Sequence, residues 1–316
     1  MAQNEINLID LYKLNPENDG KDLIKKLQEW GALPKEGEYL CPNGHELGLY
    51  KDKSCIDGFK WKCSQMISKP KQKPSKCNYG ASVRKGTFFA RSHLSLFQIC
   101  GFVHLWVHNS ELRVIEKEMR ISKRFTVDWS SFCREVVFDG MIRQAKQLGG
   151  NGSIVEIDES KFGRRKHYRG HRSKKETLLE IIKTWIKPGT TIMSDCWKAY
   201  NCLKNEGFQH LQVNHSIEFV DSDTGAHTNT IESSWRHAKA SLPQYRREKS
   251  FFGGYLAKYM FMKMCKAARL DPTIEFFKYA GQLYSPLEEL SDESENEEDE
   301  DDGDIEFSNI SGVDAY

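Results

Sequence analysis

Lysine and arginine are missing from everything after Leu287, a stretch that holds 14 acidic residues. Residues 1–287 are left with 46 basic against 31 acidic side chains, a net of +15 hidden inside an overall charge of +1. Long apolar runs are missing too. The richest stretch, Leu94–Val107, is broken by Ser95, Gln98 and His104 and is too short to span a bilayer, so no membrane partner is expected. The opening MAQNEINLIDLYKL has neither a basic n-region nor an apolar run, so no secretory signal is expected. Together these absences point to a soluble intracellular protein with reduced thiols. In that setting the nine cysteines favour metal over disulfides. No internal repeat is found, and a hydrophobic content of 39% can fill a core.

A basic body implies a polyanionic partner, and double-stranded DNA fits, because Lys and Arg gain affinity by displacing counterions from phosphates. The acidic run from Ser291 to Asp302 lacks the apolar residues needed to fold and is expected to be disordered. It suits a eukaryotic nuclear protein better than a bacterial enzyme; otherwise a cytoplasmic location is expected. It could bind basic nuclear proteins or shield the basic body from DNA, and Ser291 and Ser294, set among acids, suit acid-directed phosphorylation. A solvated tail without function has the same composition.

The pattern divides the chain into a helical lead-in (1–36), a Cys-, Lys-, Gly- and Pro-rich segment (37–92), a helical region (93–150), an α/β region (151–285) and the acidic tail (286–316). In the second segment, Cys41 and His45 have three residues between them, and Cys63 and Cys77 follow. Two such pairs supply the four borderline ligands of tetrahedral zinc. Unrelated buried thiols and a surface histidine are the plainer reading. In the third segment, Leu112, Ile115 and Met119 have helical spacing, Arg120–Ser122 breaks it, and Trp129, Phe132 and Val136 resume it. Two helices joined so tightly fit a helix-turn-helix, whose second helix would offer Lys123, Arg124 and Thr126 to DNA, with Arg134 nearer the backbone. A helical hairpin that only fills a core has the same pattern.

Acids occupy three informative places. Asp158 ends a strand-like Ile154–Ile157, Asp195 ends Thr190–Met193, and Glu232 lies in the first turns of a helix over 228–242. Carboxylates so arranged could meet around Mg²⁺, which prefers oxygen and keeps its waters. Acids at strand ends and helix N-termini are also common for purely local reasons.

Four stretches carry a resemblance: Val155–Lys166, Arg169–Arg172, Ser194–Tyr200 and His227–Lys239. They resemble the DDE transposases of the Merlin superfamily and their bacterial insertion-sequence relatives, as do Asp57–Cys63 and Arg84–Phe89. The resemblance implies an RNase H-like core with Asp158, Asp195 and Glu232 as ligands of Mg²⁺ or Mn²⁺. It also implies cleavage and strand transfer at terminal inverted repeats, and homo-oligomeric assembly. His227 and Asn229 match the motif before Glu232; some relatives use a different third residue, which leaves Asn229 a share of that role, and His227 could instead simply cap or pack against the helix start. Lys161, Arg164, Arg165, Lys166 and Arg172 would then line the DNA path, although a basic run is equally a solvated face.

One departure matters. An RNase H-like core needs two further antiparallel strands between its first two acids, yet only 36 residues separate Asp158 from Asp195, and a helix takes up part of them. The expected fold is therefore α+β and multidomain: a zinc ribbon, a helix-turn-helix region, an RNase H-like core lacking two strands, and a disordered tail. The expected function is that of a transposase-derived DNA-binding protein with impaired catalysis. The alternative is a domesticated zinc-ribbon transcription or chromatin factor.

Overall fold

The computed structural model describes residues 5–15, 20–67, 73–160, 175–195, 198–213, 227–242 and 251–285. The lead-in forms α1 (Leu8–Lys13), capped by the Asn7 side chain, and α2 (Lys21–Glu29), which buries Leu23, Ile24 and Leu27 along one face. It ends at Gly31, whose φ of 77° is the left-handed conformation glycine adopts freely.

The ribbon follows. β1 (Gly48–Lys51) pairs antiparallel with β2 (Phe59–Lys62), where Phe59 and Trp61 turn inward and Lys62 outward. A short hairpin of β3 (Met66–Ile67) and β4 (Ser75–Lys76) leads to β5 (Gly80–Ser82), which pairs with the other side of β2.

Three helices come next. α3 (Leu96–Val107) opens with a Ser95/Gln98 capping box and is apolar nearly all round, as a buried helix must be. α4 (Leu112–Met119) ends at Arg120, which adopts φ 53°. Ser122 accepts from the Phe125 N–H and starts α5 (Lys123–Arg143).

The α/β region contains β6 (Leu148–Gly149), β7 (Ile154–Glu156), α6 (Lys175–Trp185), β8 (Ile186–Lys187), β9 (Thr191–Asp195), a 3₁₀ segment (Lys198–Glu206), β10 (Gln209–Val213) and α7 (Asn229–Ser241). Among the described residues its main sheet has the order β10-β9-β7, all parallel, with β7 at the edge. A small core of Ile182, Ile186, Ile192, Tyr200, Leu203 and Phe208 supports it. Leu148, Ile154, Ile181 and Trp185 stay exposed around it.

α8 (Phe252–Ala268) and α9 (Pro272–Leu283) leave the sheet. They join α1 to α5 and the inner end of the ribbon in one large core: Phe276, Phe277 and Phe261 pack with Leu27, Phe89, Ile99, Phe102 and Val137. Trp30 stacks on Phe277 at 5.7 Å. α5 and α9 approach so closely that a Cβ at Gly140 would lie 2.1 Å from the Tyr279 ring. The packing therefore differs from the sequence-based division. The last two helices belong physically with the helical body, and the sheet is an excursion between α5 and α8. Long-range packing sets this boundary, and local periodicity carries no trace of it.

Candidate metal centre and nucleic-acid interface

Cys41, His45, Cys63 and Cys77 come together. Their ligand atoms all lie within 4.8 Å of one another, and among the described residues no other group of three or more His, Cys, Asp or Glu does so. The first pair sits on a tight knuckle: the Cys41 N–H donates to the His45 carbonyl (2.8 Å) and the Gly44 N–H to the Cys41 carbonyl (2.8 Å). Gly44 turns the chain with φ 76°. Cys63 follows β2 directly and donates its N–H to Tyr79, while the Cys77 N–H donates to Gln65. The Cys41 and Cys77 sulfurs are 3.7 Å apart, and the Cys63 sulfur is 3.5 Å from His45 Nδ1.

The Tyr79 backbone N–H pulls the Cys77 thiol down to about 6, helped by His45 and Asn43, while burial pushes Cys63 up. A cation at the centre would favour the thiolate at both. Three sulfurs and one imidazole nitrogen in tetrahedral reach form the donor set of a closed structural zinc site.

The two helices expected from the sequence are present, with the break at Arg120–Ser122. Lys123 and Arg124 are exposed at the start of α5, the Arg124 side chain 92% so. Thr126 corrects the sequence reading. It is fully buried, and its hydroxyl donates to the Ser122 carbonyl at 3.0 Å. The face that Lys123 and Arg124 open continues instead to Val127 and Asp128, both exposed. The Arg134 guanidinium lies over the rings of Phe251 and Tyr255, at 5.1 and 5.2 Å. Replacing Lys123 and Arg124 together with Gln is expected to weaken duplex binding. It should also reduce the log K against log salt slope by about 0.9 for each phosphate left without its cation. An unchanged slope in titrations across salt concentrations would remove α5 from the interface.

The acids lie as follows. β7 and β9 are parallel, with Glu156 opposite Met193, and the Ile157 N–H continues the ladder to the Met193 carbonyl. Asp195 closes β9, and Asp158 follows the end of β7 by two residues. Both bear on the Tyr200 hydroxyl, which donates to Glu159 at 2.8 Å and whose pKa burial pushes up. Glu232 is exposed in the first turn of α7 and accepts from the Thr228 hydroxyl at 3.3 Å. The three carboxylates do not close to within 4.8 Å. Two strand-end carboxylates suit a hard cation that keeps its waters, but a compact three-carboxylate centre is not formed.

One residue escaped the sequence reading. Glu156 accepts from the Ile231 N–H of α7 at 2.9 Å and faces His227 Nδ1 at 3.5 Å. It caps a helix 75 positions away and ties the Glu232 helix to the Asp158 strand. Its two-residue spacing from Asp158 was the available signal. Lys161, Arg164, Arg165, Lys166 and Arg172 lie outside the described residues, as does the acidic tail.

Comparison with known proteins bears on the strand–helix arrangement around these acids. Residues 148–263 match the ISXO2-like transposase domain. This transposase-like segment begins at β6 and ends within α8. The chain is also similar to an uncharacterized transposase-like protein of Haemophilus influenzae, 33% identical over 69 residues, covering 22% of this chain and 54% of that protein. The chain thus spans about half the length of that curated relative. No solved structure matches. Among the described residues no helix is long and apolar enough to cross a membrane.

Proposed function

We propose that this chain is a transposase-derived DNA-binding protein, kin to the Merlin branch of the DDE transposases, that grips duplex DNA with its zinc ribbon and the start of α5. The observation that carries this reading is the Cys41–His45–Cys63–Cys77 cluster, which could hold zinc, in a basic body that also bears the match to a transposase domain. The ancestral reaction of such a domain is metal-dependent phosphodiester cleavage and strand transfer at terminal inverted repeats. Asp158, Asp195 and Glu232 would hold the Mg²⁺ or Mn²⁺, and the metal would activate an attacking oxygen and stabilise the leaving one.

Binding without efficient cleavage is favoured by the edge position of β7 among the described strands, by the exposed Ile154 and Leu148 beside it, and by the short interval between the first two acids. An edge strand with uncovered apolar neighbours is what loss of two flanking strands leaves behind. A domesticated transcription or chromatin factor fits this version. The catalytic version is favoured by the shared bearing of Asp158 and Asp195 on Tyr200 and by the Glu156 cap on α7.

The test is incubation of the full-length zinc-loaded chain with its element's terminal DNA and Mg²⁺ or Mn²⁺. Duplex binding without strand cleavage is the expected outcome. Cleavage that Asp195→Asn abolishes would overturn the remnant reading and establish catalysis, and absence of duplex binding would sink both.

A further inference from the structure

The helical body carries a second cationic feature, remote in sequence from Lys123 and Arg124. Arg134 of α5 and Lys258 of α8 line one cavity of about 170 Å³ with Trp106, Asn109, Ser241 and Tyr255. The Lys258 ammonium donates to the Trp106 carbonyl at 2.6 Å and sits 4.0 Å from the Trp106 ring centroid. The Arg134 guanidinium is flanked by the Phe251 and Tyr255 rings. Neither cation has a carboxylate partner among the described residues.

Two half-desolvated cations side by side are costly. Burial brings the Lys258 amine down to about 8, and the Arg134 charge adds to this; burial also lowers Arg134. Buried charges are ordinarily paired or bound to a ligand. An anion between them would remove the repulsion and use the donors that the aromatic rings leave over. Guanidinium presents a flat fork that matches two oxygens of a phosphate or carboxylate, and ammonium adds a point charge. Asn109 adds a side-chain amide, whereas the Ser241 hydroxyl is spent on the Ala238 carbonyl at 2.7 Å. The cavity is smaller than the roughly 300–1,000 Å³ that drug-sized ligands occupy, so it suits one ionic group.

We propose that the Arg134–Lys258 cavity is a phosphate-binding site, filled by one tetrahedral phosphate group. The group can come from the DNA backbone or from a free phosphate in solution. Only the DNA source rests on the DNA-binding reading above.

The full-length zinc-loaded chain, with Lys258→Met and Arg134→Gln variants, separates the sources. In the first arm, inorganic phosphate is titrated against chloride at constant ionic strength, reading the melting temperature and the rate at which an acylating reagent labels Lys258. Wild type should gain thermal stability and lose Lys258 labelling, and neither variant should gain stability. In the second arm, duplex affinity is measured across salt concentrations. Loss of one backbone phosphate should reduce the salt slope by about 0.9 in each variant. Arg134→Lys, which keeps the charge, should recover most of either effect and guards against a folding defect. A response in the first arm alone identifies free phosphate, and a response in the second identifies the DNA backbone. No phosphate protection in wild type together with unchanged slopes in both variants overturns the site.

Discussion

Removing zinc with a zinc-selective chelator is expected to melt the ribbon and abolish duplex binding, with recovery when zinc is restored. The ribbon's own core is small: Tyr39, Cys41, Leu47, Trp61 and Cys63, with Leu49, Cys77, Tyr79 and Ala81 against it. Three of these are candidate ligands, so without metal the cluster both loses its centre and buries uncoordinated thiols. Structural zinc contributes on the order of 10–16 kcal/mol of apparent binding free energy at neutral pH. That is as large as the roughly 5–15 kcal/mol that holds a whole domain folded. Replacing one ligand, as in Cys63→Ser, should therefore act much like chelation, while His45→Cys, which keeps four zinc ligands, should retain the fold. Phe59 and Val83 lie in the large helical core, so loss of structure should stop at the inner end of the ribbon. Calorimetry of the apo chain should lose the ribbon's transition and keep that of the helical body, and near-ultraviolet circular dichroism should report loosening around Trp61. A chelated chain that melts and binds DNA like the metal-loaded one would refute the assignment.

What could be read from sequence divides along the range of the interactions. The Cys/His cluster was legible because a Cys and a His with three residues between them can only be a knuckle or a coincidence, and Cys63 directly follows a strand of alternating burial. The α4–α5 break was legible because Ile115 and Met119 stop in phase at Arg120. Thr126 was misread because a polar residue in the first turn of a helix looks exposed. Its hydroxyl satisfies itself on the carbonyl four residues back, which lets it be buried. β10 went unassigned, since Gln209 and Gln212 mask its alternation. The role of Glu156 and the departure of α8 and α9 from the sheet depend on partners tens to hundreds of positions away. No window along the chain holds both ends of those interactions.

The second large effect expected lies where the ribbon meets the helical body. Arg84 donates from Nε and Nη2 to the two carboxylate oxygens of Asp57, each at 2.5 Å, and from Nη1 to the carbonyls of Ser92 (3.0 Å) and Leu94 (2.7 Å). Both side chains are only 5% exposed. The guanidinium thus joins the turn before β2 to the segment that leads into α3. Replacing Arg84 with Met should cost roughly 3–5 kcal/mol, because it leaves the Asp57 carboxylate buried and unpaired. In a chain of this size that lowers the melting temperature by on the order of 10 °C. Asp57→Leu should do similar damage for the mirror-image reason. The double replacement should recover much of the loss, since two apolar groups of fitting volume can stand in for a buried pair. Strict additivity of the single effects in a thermal double-mutant cycle would show that the pair is not coupled. The double variant also separates stability from orientation. The fork fastens the turn before β2 to the segment that enters α3, and on the proposed DNA-binding reading the ribbon and α5 must keep their spacing on one duplex. A refolded double variant should therefore bind duplex DNA more weakly than its regained stability predicts, and wild-type affinity would mean that the buried pair contributes to folding alone.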